Sequence, residues 1–366
     1  MNKRPMTYLN YAGLCPTHPE AEQEVADTLA SLKHYLYSDA GVEWYRTKIQ
    51  QCRETVAGLL HVPDASNIAF VPNASTANHL LVSALTWNPG DDIVSTTHEN
   101  PSIRNALLAL QAKGVKTHFI PPSSSPEHFL KSLEQNVSRL NLKAIILSHV
   151  SHVDGRVFPI AEIAEFSRSH DIFFAVDGAQ AVGQIDVNFQ ALNCDAYFFS
   201  GYKWCRGPLG TGALIISDRL AASASSLWSQ PIDHGQSPAS RFEIGTHNIG
   251  LIAGLARTCH IKRQHGVETA KLFQIREFVL REFQQMPMIK IQGWTGPQAP
   301  GILTFRCLRP DRHDRLYRQL YDDWHIVVKA FSDYPAGACP SFRLSWMPET
   351  DLQDVKKVLE TIKLYV

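Results

Sequence analysis

The sequence predicts an α/β protein: a mainly parallel seven-stranded sheet covered by helices, followed by a smaller α+β C-terminal domain. Three observations carry this. Seven short apolar runs alternate with amphipathic stretches between residues 67 and 217. The runs are apolar throughout, as strands buried on both faces are. Near residue 250 the alternation stops, and helices with a few isolated strand-like runs take over.

Each element follows from its residues. Val25, Leu29, Leu32 and Leu36 recur at helical spacing, as do Tyr45, Ile49, Cys52, Val56 and Leu60. The strand runs are IAFV (68–71), DIVST (92–96), VKTHFI (115–120), AIILS (144–148), IFFAV (172–176), AYFFS (196–200) and GALIIS (212–217). Helices begin between them near Thr76, Pro101, Pro126 and Pro159. Beyond 250 the expectation is a long helix over about 251–285, a strand GILTF, a helix from Asp311, strands HIVVKAF and SFRLSW, and a last helix from Asp351. The expected domains are 1–250 and 251–366, with residues 1–20 able to pack on the smaller one.

Composition narrows the function classes. The 366 residues are 44% apolar and 19% charged, as in an ordinary soluble globular protein. Basic and acidic residues balance at 35 each, which gives no hint of a nucleic-acid or membrane partner. The N-terminal residues hold no apolar core of signal-peptide length, and no stretch approaches the ~20 apolar residues of a membrane span. The cysteines (Cys15, Cys52, Cys194, Cys205, Cys259, Cys307, Cys339) are scattered and never spaced C-x-x-C. That argues for a reducing cytoplasm rather than a disulfide framework or zinc site.

The chemistry gathers at strand ends, where open α/β sheets bind ligands. Asp177 follows FFAV and Lys203 follows AYFFS, 26 residues later, room for one crossover to a parallel neighbour. Gly201, Gly207 and Gly210 bracket the lysine. A carboxylate and an amine at adjacent strand ends suit pyridoxal 5′-phosphate, which needs a lysine for its aldehyde and an anion for its pyridinium nitrogen.

The segments DGAQ (177–180), SGYKW (200–204), YLNYAG (8–13) and SFRLSWMPET (341–350) together resemble the class V aminotransferase superfamily of fold-type I pyridoxal-phosphate enzymes. That superfamily includes cysteine desulfurases, isopenicillin-N-epimerase-like proteins and cyanobacterial cysteine/cystine C-S lyases; the layout resembles the lyases most. The resemblance implies that Lys203 forms the Schiff base, Asp177 pairs with the pyridinium nitrogen and Gln180 hydrogen-bonds the phenolic oxygen. It implies phosphate contacts from Ser75 and Thr76, which open a helix, and from Ser200. Thr246, in RFEIGTHN, would reach the phosphate across a homodimer interface. Arg343 would hold the substrate carboxylate, which suits a guanidinium fork.

Three positions depart from the family pattern. Tyr202 stands where a histidine is common and carries no positive charge at neutral pH. In TTHENPSI, Asn100 falls in the slot of the residue that covers the ring; a shifted loop would put His98 there instead. His152 stands near the expected place of the phenolic oxygen, either as a hydrogen-bonding or acid/base group or as an ordinary loop histidine. His149 and His152 lack a third ligand at sensible spacing, so no metal is expected. No phosphate-loop or dinucleotide fingerprint occurs either.

A desulfurase needs a cysteine on a loop that reaches the substrate sulfur. The link 332–340 is short, contains proline and offers only Cys339, which favours a structural thiol. The leading expectation is therefore a C-S lyase that releases pyruvate, ammonia and a sulfur product from cysteine, cystine or an S-substituted cysteine. Aminotransferase, epimerase and cysteine desulfurase are the alternatives within the family, and a non-catalytic binding protein is the alternative outside it.

Overall fold

The structure is a computed structural model that describes residues 6–34, 38–224, 237–291, 293–309, 312–332 and 340–366. The chain opens with β1 (Thr7–Tyr8), α1 (Pro19–Leu32) and α2 (Asp39–Leu60). Next come β2 (Ile68–Val71), α3 (Ala74–Ala84), β3 (Asp92–Thr96), α4 (Pro101–Ala109), β4 (Lys116–Ile120), α5 (Pro126–Val137) and β5 (Leu142–Ser148). Then follow α6 (Ile160–Ser169), β6 (Phe173–Asp177), α7 (Phe189–Leu192), β7 (Ala196–Ser200), β8 (Gly212–Ile216), α8 (Asp218–Ser223) and α9 (Ile249–His265). The last part holds α10 (Thr269–Gln284), β9 (Ile289–Ile291), β10 (Ile302–Cys307), α11 (His313–Asp322), β11 (Ile326–Val327), β12 (Lys329–Phe331), β13 (Ser341–Ser345) and α12 (Leu352–Tyr365).

Seven strands form one sheet in the order β2-β8-β7-β6-β5-β3-β4, with only β8 antiparallel to its neighbours. Alternate residues of one strand point to opposite faces. On β5, Ile145 and Leu147 join the core beneath α2, α5 and α6, while Ala144 and Ile146 join the core beneath α3 and α4. This is why the runs read as apolar throughout. The seven runs and the four expected helix starts lie within two residues of the observed elements.

Beyond β8 the expectations need refinement. The helix expected over 251–285 is two helices, interrupted at Gly266, whose φ of +71° suits glycine. Each half serves a different core: Leu255 and Cys259 of α9 pack under the large sheet, while Leu272, Val279 and Phe283 of α10 pack with Phe305 and Phe342 of the small one. HIVVKAF likewise splits at Val328, because its two halves have different partners. β11 pairs in parallel with β1, and β12 pairs antiparallel with β13 in the four-stranded sheet β12-β13-β10-β9. The N-terminal segment thus runs along the small sheet: the Ser345 N–H donates to the Leu9 carbonyl (2.9 Å) and the Ala12 N–H donates to Ser345 Oγ (2.9 Å).

Candidate active site

A cavity of about 730 Å³ opens at the carboxyl ends of the parallel strands, where the N-terminal segment and the β12–β13 hairpin face the large sheet. The loop between β7 and β8 supplies the amine. It is held by backbone bonds: the Gly201 N–H donates to the Thr211 carbonyl, and the Gly207 N–H donates to the Gly201 carbonyl (both 2.8 Å). At Gly201 a Cβ would stand 2.5 Å from Leu255 Cδ1, so the loop lies against α9 as only glycine allows. Lys203 projects into the cavity. Burial lowers its pKa, an effect opposed by Asp177 and reinforced by Arg343. Asp177 ends β6 and is buried; desolvation raises its pKa, against the pull of Lys203 and the Ala179 N–H (2.8 Å). For both groups burial outweighs their mutual attraction, and each charged form gains from an additional charged partner.

The opposite wall suits an anion. The N-terminus of α3 lines the cavity at Ala74 and Ser75 and that of α4 at Pro101 and Ser102, so both helices turn the positive ends of their dipoles toward it. Ser200 Oγ accepts from the Ala74 N–H (2.9 Å), leaving its own proton to donate. Ser75 Oγ donates to Ser102 Oγ (2.8 Å), which donates to Asn100 Oδ1 (2.9 Å). Asn100 is the N-cap of α4, its Oδ1 also accepting from the Ser102 N–H.

Most of the residues singled out in the sequence meet here: Lys203, Asp177, Gln180, Ser75, Asn100, His152, Ser200, Tyr202 and Arg343 all line the cavity. Gln180 is already engaged, donating to the Ala12 carbonyl (2.8 Å) and accepting from Trp204 Nε1 (2.7 Å); one amide hydrogen remains. Thr76 does not line the cavity, since its N–H and hydroxyl both donate to Asn73 Oδ1 (2.8 and 3.1 Å). Thr246 is exposed and stands apart from it. His98 is buried behind it, with Nδ1 3.1 Å from Ser151 Oγ and burial pulling its pKa down to about 4. His152 is held well below the usual histidine range by burial and by Arg343 and Lys203.

Arg343 spans the cleft. It donates to the His152 carbonyl (2.5 Å) and to Asn10 Oδ1 (3.0 Å), while its buried Nε has no hydrogen-bond partner among the described residues. Burial lowers its pKa to about 10, so it stays cationic at neutral pH.

Sequence reasoning missed Asn10, Lys329 and Phe331 on the cavity wall and Glu99 beneath it. Lys329 and Phe331 are two apart on one strand and so share a face; a lysine inside the apolar run HIVVKAF was the signal. Glu99 accepts from Thr96 Oγ1 and Ser148 Oγ (both 2.6 Å), and burial raises its pKa to about 7. Cys339 lies outside the described residues; among these, no cysteine lines the cavity. Nor do the described residues include a cluster of three potential metal ligands or a helix long and apolar enough to cross a membrane.

The family model for class-V aminotransferases matches residues 17–332. A probable cysteine desulfurase of Pyrococcus abyssi (strain GE5 / Orsay) is 28% identical over 306 residues, 77% of this chain and 73% of the relative. The cysteine desulfurase of Dickeya dadantii (strain 3937) is 25% identical, covering 90% and 83%. The chain spans only 39% of a third relative, a probable cysteine desulfurase of Mycolicibacterium paratuberculosis (strain ATCC BAA-968 / K-10). Among solved structures, the cystine C-S lyase C-DES in complex with cysteine persulfide has a TM-score of 0.87 at 24% identity, covering 98% of each chain. Escherichia coli CsdA, a cysteine desulfurase, has a TM-score of 0.84 at 21% identity, covering 99% and 96%. At these identities the structures establish a shared fold.

Proposed function

The chain belongs to the class-V aminotransferase family, and from that premise we propose that it is a pyridoxal-phosphate C-S lyase acting on cysteine, cystine or an S-substituted cysteine. The observation that carries the reading is the convergence of Lys203, Asp177 and Arg343 on one cavity. The residues present fit the cofactor: an amine for its aldehyde, a buried carboxylate for its ring nitrogen, and two helix N-termini with the Ser200 hydroxyl for its phosphate. When bound, the ring supplies an electron sink for the bond broken at the α-carbon.

The chain's own residues do the rest. Arg343 anchors the substrate carboxylate and fixes which α-carbon bond faces Lys203. Lys203 Nζ, its pKa lowered by burial, accepts the α-proton as general base. Asp177 keeps a proton on the ring nitrogen. Cleavage of the C–S bond releases the sulfur fragment, and with one water the remaining three carbons leave as pyruvate and ammonia.

The second reading is cysteine desulfurase, favoured by the names of the curated relatives. A desulfurase transfers sulfur to its own thiol and releases alanine, so it requires a cysteine at the substrate. Cys339→Ser decides between them. Under the lyase reading the variant keeps most of its pyruvate production. Loss of turnover, with a persulfide on Cys339 of the parent by mass spectrometry, makes desulfurase the function.

A further inference from the structure

The wall around Arg343 carries a second cation. β12 and β13 pair antiparallel with Lys329 opposite Arg343, and both residues line the cavity. Both charges lie near the Phe331 ring, whose centroid is 5.6 Å from Lys329 Nζ and 5.7 Å from the Arg343 guanidinium carbon. Among the described residues no acidic side chain pairs with Lys329, and Asp177 is the only carboxylate of these that lines the cavity. The helix N-termini that suit a phosphate are those of α3 and α4, beside the seven-stranded sheet, whereas Lys329 belongs to the four-stranded one. Two like charges across a strand pair repel and are destabilising unless something offsets them.

An α-carboxylate on Arg343 neutralises only one of the two. We infer that the substrate is an amino acid whose side chain ends in a second anionic group, a carboxylate or sulfur oxyanion, and that Lys329 is the specificity-determining residue that receives it. The inference rests on the proposed reading of the site and narrows its substrate class: S-carboxyalkyl cysteines and cystine, with its second carboxylate, fit, while S-alkyl cysteines leave Lys329 unmatched. Lys329 is exposed, with Phe331 against its ammonium, so its substitution removes no buried side chain.

The test uses the cofactor-loaded enzyme, as parent and as Lys329→Gln, with a binding readout independent of turnover. Calorimetric titration compares glutarate, which carries two carboxylates, with butyrate, which carries one; kinetics compare S-carboxymethylcysteine with S-methylcysteine. The expected result is that the parent prefers the dianionic member of each pair by about tenfold or more, as one charge-assisted contact gives. In Lys329→Gln that preference falls to within about twofold, through weaker binding of the dianionic member of each pair. Equal binding of glutarate and butyrate by parent and variant, with turnover intact, overturns the inference and leaves the lyase reading standing. Selective glutarate binding that depends on Lys329, without sulfur release from any cysteine derivative, upholds the inference and overturns the lyase reading.

Discussion

At the scale of single residues, the site gathers charges on one cavity, with Asp177 and Arg343 buried. Lys203→Ala should abolish the borohydride-reducible link between protein and cofactor, which mass spectrometry after reduction detects directly. Arg343→Ala should lose a charge-assisted contact of about 1.5–3 kcal/mol, a roughly tenfold to hundredfold rise in KM. Glu99 gives a different kind of prediction. Its bonds can be made by the neutral acid, with Oε1 accepting from Thr96 and the Ser148 N–H while the Oε2 proton is shared with Ser148 Oγ. A carboxyl whose folded pKa is raised from 4.5 to about 7 holds more protons folded than unfolded between those values. Its contribution therefore favours the folded state below about pH 4.5 and is lost as pH rises through 7, a swing on the order of 3 kcal/mol. Glu99→Gln should remove that slope, so denaturant titrations of parent and variant should diverge as pH rises from about 4.5 to 7 and stay apart above it, the variant being the more stable.

Among elements, those that the sequence revealed most fully are the ones whose periodicity has one cause. The seven strands read plainly because both faces of each are covered. The helix starts at Pro101 and Pro126 read plainly because proline fits a first turn. The stretches that divided in two, 251–285 and HIVVKAF, serve two partners each, and apolar spacing does not say which partner a residue meets. Asn10 was illegible for the same reason: its place beside Arg343 depends on pairing with residues at the far end of the sequence. Lys203, Asp177 and Arg343 were legible because a charge at the end of, or within, an apolar run stands out. The β7–β8 loop allows one prediction at this scale. Gly201→Ala forces a methyl group against Leu255 and the Thr211 hydroxyl, costing about 1–3 kcal/mol and loosening the loop that carries Lys203. Cofactor retention on gel filtration should fall. Adding Leu255→Ala should restore retention while costing stability of its own.

For the whole molecule, the residue that bears on assembly is Thr246, which the family resemblance implies serves a partner's site. Thr246 is exposed in the single chain, as a residue serving a partner's site would be. Sedimentation should show a homodimer at micromolar concentration, and Thr246→Ala should weaken cofactor binding without shifting that equilibrium. A monomer with full activity would refute this.

The pairing of β1 with β11 has a consequence for biosynthesis. Ile326, the strand partner of Thr7, is made more than three hundred residues after it. At about 5–20 residues per second that interval is some tens of seconds. Throughout it, the first strand has no edge to join, and Leu9, wholly buried in the finished protein, has no core to enter. The large sheet can form during this interval, presenting Asp177 and Lys203 before Arg343 exists. A nascent chain thus holds Asp177 and Lys203 well before Arg343 is made. The wall that carries Arg343 is complete only when residues 7–12 come back to meet β11 and β13.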